Sequence, residues 1–386
     1  MPDHRPSMSR REFLRTSALA LAGGCAVLPN YGTGATSPSG VPPKRLGRLA
    51  RGANICRWFR FGPESTAHLS DYLGDAEAGM IRQLGPTHVR LCITPKVLMD
   101  QATGKIRETN ARWIDAAIRR FHKSDLLVIV DLHGEDREAE LSSQWQEAFV
   151  NFWSAYATRL SQFDPEKTIL EILNEPVFKN RQAEWDTLNA RLVEVIRSHA
   201  PQHTIMTSGA DWGGINGLQK LKLLRDPNVI YSFHCYDPFA FTHQGAKWTS
   251  DDVKPLRSVP YPSSPEVVAP LLPALNNHPE SERLLREYGA ARWDKAKLAT
   301  RFNEALEWGK RNQVALHCGE FGVFPMHAPT SSRGNWFRDF GQVLAVNKIG
   351  WSIWGWDEGF GLDRRFIGGK PVVDKVVAGA LGLNLK

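Results

Sequence analysis

The chain has 386 residues, of which 42% are hydrophobic and 23% charged. These are globular values, and the length admits one large barrel or two smaller domains. The formal net charge is +7. The first forty residues contribute four arginines (Arg5, Arg10, Arg11, Arg15) against Asp3 and Glu12, and elsewhere Lys and Arg are scattered among acids. Arg51, Arg57 and Arg60 lie close together but interleave with core residues. The concentrated basic stripe of a nucleic-acid-binding protein is therefore absent. No internal stretch reaches the run of about 18 apolar residues that a membrane span requires.

The N-terminus reads as an address. Ser9-Arg10-Arg11-Glu12-Phe13-Leu14-Arg15 precedes an apolar run of small residues from Ala18 to Leu28, then a Pro/Gly/Ser/Thr-rich tract to about residue 43. A positive region, a short apolar segment and small residues make a signal peptide. Paired arginines followed by Phe-Leu mark the twin-arginine route. Residues 1–45 are thus read as signal and linker, and residues 46–386 as one catalytic domain, exported to the periplasm or beyond. Leu21-Ala-Gly-Gly-Cys25 resembles a lipoprotein cleavage box, but Ala22 stands where a larger aliphatic residue is usual, so lipid anchoring is the lesser alternative.

Beyond residue 47, short β-branched runs alternate with helical segments. The expected strands are residues 51–56, 87–94, 126–133, 168–174, 204–209, 229–236, 314–320 and 350–356. Helices are expected over 75–83, 111–122, 145–161, 185–199, 295–311 and 373–381. Eight such units in about 340 residues match a (β/α)8 barrel. A doubly wound sheet would more often carry a Gly-rich phosphate turn after its first strand, and none is present. The connection from residue 237 to about 279 is long and rich in Pro and aromatics, including Phe239, Phe241, Trp248 and Tyr261. It leaves the C-terminal end of strand six, where barrels build their sites, and is expected to wall a cleft.

Polar residues punctuate the strand ends. Strand two carries Arg90, and strand three ends in Asp131-Leu-His133. Strand four ends in Asn174-Glu175-Pro176, and strand six in His234-Cys-Tyr236. Strand seven ends in Glu320-Phe-Gly, and strand eight holds Trp351, Trp354 and Trp356. Glycoside hydrolysis needs one carboxylic acid to protonate the leaving oxygen and one carboxylate to attack, or to activate water. Glu175 and Glu320 end strands that face each other across the barrel. Arg90 and Tyr236 can keep one carboxylate ionised. Asn174 suits the sugar 2-hydroxyl, and His133 and His234 suit neighbouring hydroxyls.

On these residues the chain resembles glycoside hydrolase family 5, the former cellulase family A. The positions Arg90, His133, Asn174, Glu175, His234, Tyr236, Glu320 and Trp354 occur in family order, and the resemblance spans nearly the whole mature chain. It implies Glu175 as acid/base, Glu320 as nucleophile with a lowered pKa against a raised one for Glu175, and Trp354 as the floor of the sugar subsite at the cleavage point. The string Phe241-Thr-His-Gln-Gly-Ala-Lys-Trp248 looks like bacterial cellulase-like members, which implies β-1,4-glucan. β-Mannan or another β-glucan is the alternative substrate, and a non-catalytic exported carbohydrate-binding protein is the alternative of another class. The implied partner is a polysaccharide or oligosaccharide, and the implied assembly is a monomer.

Each residue also has a bland reading. Trp58, Trp212 and Trp248 follow strands one, five and six and are even choices between sugar platforms and loop packing. Trp351 reads as outer packing if Trp354 and Trp356 enter the mouth. His317, an odd number of residues before Glu320, is expected to face the outer helices. Glu171 and Asp131 share the inward parity of Glu175 and His133, and are expected to pair with Arg51 or Arg90. Cys56, Cys92, Cys235 and Cys318 each lie in or beside an apolar run and read as reduced core thiols, with Cys92 and Cys318 inward and Cys235 outward. No metal-binding pattern and no cofactor motif is found.

If Arg10 and Arg11 are the export signal, changing both to Lys should leave folded precursor in the cytoplasm. Fractionation of cells expressing the double variant tests this, and normal export would refute it.

Overall fold

A computed structural model describes residues 39–134, 136–362 and 371–385. The twin-arginine segment and Cys25 lie outside the described residues. The strands are Arg51–Phe59 (β1), His88–Ile93 (β2), Leu127–Leu132 (β3), Thr168–Glu171 (β4), Thr204–Ser208 (β5), Val229–His234 (β6), Ala315–Glu320 (β7) and Gly350–Ile353 (β8). They pair in parallel in sequence order, and β8 closes on β1, so the sheet is a barrel without edges. This is the (β/α)8 architecture that the alternation of patterns implied.

The barrel interior is graded. Near the strand starts it is apolar, with Leu127, Ile129, Ile169, Met206 and Ile230 packed on Val41 and Leu49. The helix Pro43–Arg48 lies here, and Arg45 donates to Glu166 at 2.8 Å and to Thr204 Oγ1 at 3.0 Å. Residues 41–45, which composition places in the linker, are therefore part of the barrel. Farther up, the inward positions become His88, Ser352, Arg90 and Asn54, all buried.

The six expected helices form, as Asp75–Leu84, Glu108–Lys123, Ser143–Leu160, Gln182–His199, Lys295–Asn312 and Lys375–Ala380. A seventh outer helix, Thr330–Val346, was not read from the sequence. It buries Trp336, Phe337, Phe340, Val343 and Leu344 at helical spacing against the barrel. Its opening Thr-Ser-Ser-Arg-Gly-Asn has poor helix propensity, which hid the stripe. The connection after β6 is also more structured than a plain loop. It contains Phe239–Thr242, Pro265–Val268, a 3-10 segment Ala269–Leu275 and the helix Pro279–Ala290. Tyr261, Val268, Leu275, Leu285 and Tyr288 anchor it in the main core. Among the described residues no helix is long and apolar enough to cross a membrane.

One irregularity changes the inward parity of β7. Phe233 pairs with Cys318, but the next residue of β6, His234, pairs with Glu320. Gly319 is the extra residue of a bulge, and a bulge shifts every residue before it to the other face. His317 therefore points into the barrel, with its ring 5.3 Å from that of His88, and not toward the outer helices. Cys318 correspondingly joins the outer core rather than the interior. Cys92 is inward and Cys235 outward, as parity implied.

The four described cysteines are free and buried. Alkylation of the unfolded, unreduced protein should label Cys56, Cys92, Cys235 and Cys318 completely. A disulfide-linked peptide pair in the digest would contradict the arrangement.

Candidate active site

Arg90 organises the floor. Its side chain is fully buried, and each nitrogen is engaged. Nε and Nη2 grip Glu171 at 2.7 and 2.9 Å, and Nη2 also donates to Asn174 Oδ1 at 2.7 Å. Nη1 donates to Glu320 Oε1 at 2.8 Å and to Asn54 Oδ1 at 2.9 Å. Asp131 Oδ2 lies 3.2 Å away and also meets His133 Nδ1 at 2.7 Å. Asp131 and Glu171 are thus the ion-pair partners of Arg90. Arg51 is not involved, because its guanidinium reaches the Gly382 carbonyl at the opposite end of the barrel. Cys92, Asp131 and His133 are spaced closely enough to share a cation, but the Arg90 guanidinium already supplies the positive charge beside Asp131.

Glu320 accepts from two donors. Arg90 holds one oxygen, and Tyr236 Oη donates to the other at 2.9 Å. Glu175 Oε1 faces His234 Nδ1 at 2.9 Å, and that nitrogen is 3.6 Å from Glu320 Oε2. One oxygen of Glu175 and one of Glu320 lie within 4.8 Å of each other. Glu175 sits at φ 44°, a left-handed backbone that a non-glycine residue adopts at some cost, as at other functional sites. Asn174 is buried, and its Nδ2 has no partner among the described residues, so a donor is left for a ligand hydroxyl.

The three central groups shift one another's pKa, and the directions reverse the expectation from sequence. Burial would raise the Glu175 pKa, but the hydrogen bond and charge of His234, with Arg137 and Arg60, outweigh it, and the carboxyl falls below its ordinary range. For Glu320 burial wins, and the charge of Glu175 adds to it against His234, Arg90 and Arg60, so the carboxyl rises. Burial would lower His234, but Glu320 and Glu175 raise it. The cause is His234, read from sequence as a hydroxyl ligand and found between the two carboxylates. A proton on Nδ1 favours an anionic Glu175.

A cleft of about 710 Å³ opens above these groups. Trp354 forms part of its lining and stacks on His133, with ring centroids 5.6 Å apart. Trp212 and Trp248 line it from the loops after β5 and β6, and are 53% and 62% exposed. Two large exposed indoles beside a concavity are platforms rather than packing. Trp58 is the opposite case. It is buried, stacked on Phe59 at 4.9 Å, and its Nε1 donates to the Leu69 carbonyl. Trp356 is likewise withdrawn from the mouth and donates to Glu77 at 2.6 Å, while Trp351 packs outward on Phe321. Arg60, Phe61, Arg137, His243, Glu358 and Phe360 complete the lining and were not read as site residues. The available signal was their place just beyond the ends of strands one, three, six and eight. A larger hollow of about 910 Å³ lies between the helix Gln182–His199 and residues 222–226, on the barrel exterior and away from the carboxylates. The smaller cleft is the candidate site because the chemistry lies in it.

A buried and a half-buried carboxyl this close, one gripped by a guanidinium and a phenol and the other left beside an imidazole, suit acetal cleavage. Strand ends supply both, tryptophans flank them, and the arrangement defines a barrel glycoside hydrolase. Comparison with known proteins agrees. The model of the cellulase family, glycosyl hydrolase family 5, matches residues 58–359, and the chain belongs to that family. It is 26% identical over 314 residues to endoglucanase C of Acetivibrio thermocellus, covering 78% of this chain and 90% of that protein. It is 24% identical to cellodextrinase A of Ruminococcus flavefaciens, covering 78% and 83%. Among solved structures it resembles endoglucanase Cel5A of Thermotoga maritima, with a TM-score of 0.71, 26% identity and coverage of 88% and 98%. The same enzyme has been crystallised with cellobiose and with mannotriose.

The Arg90 network generates a stability test. Removing one partner of a buried charge cluster costs about 3–5 kcal/mol, because the others are left uncompensated. Arg90→Met should lower the denaturation free energy by that order. Arg90→Lys should lose less, since it keeps the charge but not the fork. Chemical denaturation of both variants measures the difference, and an unchanged midpoint for Arg90→Met would contradict the network.

Proposed function

We propose that this glycoside hydrolase is an exported endo-β-1,4-glucanase that cleaves with retention, using Glu320 as nucleophile and Glu175 as acid/base. The observation that carries the reading is the asymmetry of the pair. Glu320 accepts from Arg90 and Tyr236, donors that hold a carboxylate in place and stabilise its charge. Among the described residues Glu175 is held instead by His234, a group that can itself give or take a proton. Oxygens within 4.8 Å suit the short separation of retaining enzymes, about 5–5.5 Å between carboxyl groups, whereas inversion needs about 6.5–9.5 Å for a water.

In the first step Glu320 attacks the anomeric carbon while Glu175 gives its proton to the leaving oxygen. The negative charge of Glu320 is consumed in the glycosyl ester. Glu175, now a carboxylate, takes a proton from water as that water displaces Glu320. Asn174 Nδ2 supplies a hydrogen bond to the sugar beside the reacting carbon. Trp212, Trp354 and Trp248 stand along an open cleft, which suits binding within a chain rather than at its end. The names of the relatives favour β-1,4-glucan. The mannotriose complex of the Thermotoga relative favours β-mannan as the second substrate to try.

Reducing-end release from a panel of β-glucan, β-mannan and xylan separates the substrate readings, and the largest kcat/KM is expected on β-1,4-glucan. Early product should be the β-anomer by proton NMR, and α-anomer would exclude retention. Glu320→Gln should abolish turnover on every substrate. Glu175→Ala should suffer most on natural glycans, and on a dinitrophenyl glycoside its second step should accelerate with azide and yield a β-glycosyl azide. Azide product from Glu320→Gln and none from Glu175→Ala would reverse the roles.

A further inference from the structure

The proposed acid/base needs a proton on Glu175, yet a proton on His234 Nδ1 opposes one there. The resolution depends on where His234 carries its hydrogen. Its Nε2 is buried and has no partner among the described residues. Directly below it, Ser232 Oγ is also buried and unpartnered, and both ring nitrogens of His317 are too. These are not scattered defects. Ser232 and His317 are register partners on β6 and β7, and His317 faces inward only because of the Gly319 bulge. A methyl group on Gly319 would sit 2.5 Å from Ser232 Oγ and 3.0 Å from His234 Nε2, so both polar atoms border the same point. The absence of a side chain at Gly319 keeps that point polar. Buried polar groups in native proteins find partners in protein or water, and Ser232 Oγ and His234 Nε2 share this point with His317 beside Ser232 in register.

We propose that Ser232 and His317 are positioning residues that, through a buried water, accept the Nε2 hydrogen of His234 and so leave Nδ1 bare to accept from protonated Glu175. The proposal rests on the acid/base reading of Glu175. Neutral imidazole has one donor and one acceptor nitrogen, so fixing the hydrogen on Nε2 makes Nδ1 an acceptor. The 2.9 Å contact of Nδ1 with Glu175 Oε1 then runs from the carboxylic acid to the ring. Without the lower acceptor, the ring would hold its hydrogen on Nδ1 and Glu175 would be anionic. His317 suits the role because burial holds its pKa well below the ordinary value, with His88, Arg90 and His234 adding to the effect, so it remains neutral. The other groups facing His234 are Glu175 after β4, Glu320 on β7, Arg90 on β2 and His133 after β3. Ser208 Oγ, on β5, lies near the same pair and is also unpartnered. Among the described residues none of the charged groups reaches Nε2 at hydrogen-bond distance, so the hydroxyl and the neutral imidazole decide its tautomer.

The test compares Ser232→Ala and His317→Leu with wild type on a β-1,4-gluco-oligosaccharide and on a dinitrophenyl glycoside. His317→Gln, which keeps a donor and an acceptor, is the rescue variant. Loss of the relay should move the alkaline limb of kcat/KM to lower pH on the oligosaccharide. Activity at neutral pH should fall roughly tenfold there, within the range that general acid catalysis contributes. The aryl glycoside, which needs little protonation, should lose less than about twofold, and His317→Gln should recover most of the loss. Thermal unfolding of each variant controls for the fold. An unchanged pH profile in both Ser232→Ala and His317→Leu overturns the proposal, as does an equal loss on both substrates. If Glu175→Ala gives azide rescue while these variants show no shift, the relay fails and the acid/base reading stands. If Glu175→Ala itself gives no glycosyl azide, it is the acid/base reading that fails.

Discussion

Arg90 brings one full positive charge into a place without water, and the mouth of the barrel is built to answer it. Removing a guanidinium from solvent is costly unless its donors and its charge are both met. Here they are met by Glu171, Glu320, Asn174, Asn54 and Asp131, on strands or strand ends all around the ring. The cluster therefore ties β1, β2, β3, β4 and β7 together at the level where catalysis occurs. It also leaves an imbalance, because three carboxyls surround one cation. Burial raises Asp131 well above the carboxylate range, with Glu171 and Glu320 adding to it and Arg90 opposing it. Glu175, His234 and Glu320 lie beside this cluster, so their pKa values depend on one another.

The graded interior lets the barrel tolerate this. The lower third is an apolar plug of aliphatic side chains, closed by Val41 and Leu49. The outer shell is dense with aromatics, such as Phe321 on Phe340 at 4.6 Å and Trp336 on Phe340 at 4.6 Å. Those layers supply the burial that stabilises the fold. The upper layers can then hold unpartnered atoms, a left-handed Glu175 and a polar column beneath His234.

The cleft walls come from loops and carry the choice of ligand. Trp212 and Trp248 stand exposed in the lining of the cleft, and Trp248 is propped by Phe324 at 4.8 Å. The segment between β6 and β7 holds that propped wall by burying Tyr261, Leu285 and Tyr288 in the main core. A wall anchored this way can present a flat apolar face to a sugar without collapsing onto it.

The eight strand–helix units were legible because a buried parallel strand needs a run of β-branched residues and a crossover helix needs a periodic apolar face. Glu175, Glu320, Arg90 and Tyr236 were legible for a related reason: a strand end places its polar residue over one pocket, whatever the loops do. Trp212, Trp248 and Trp58 could not be separated, since burial of an indole beyond a strand end depends on the loops that fold over it. Trp58 is covered by residues 66–73, whereas Trp212 and Trp248 are left exposed among the described residues. The inward turn of His317 was equally closed to sequence, because a single extra residue at Gly319 inverts the parity of everything before it. The distribution of protons was decided last. A pKa is set by distances between groups far apart in the chain, and only the folded barrel brings polar atoms of Glu175, His234 and Glu320 within 4.8 Å of one another.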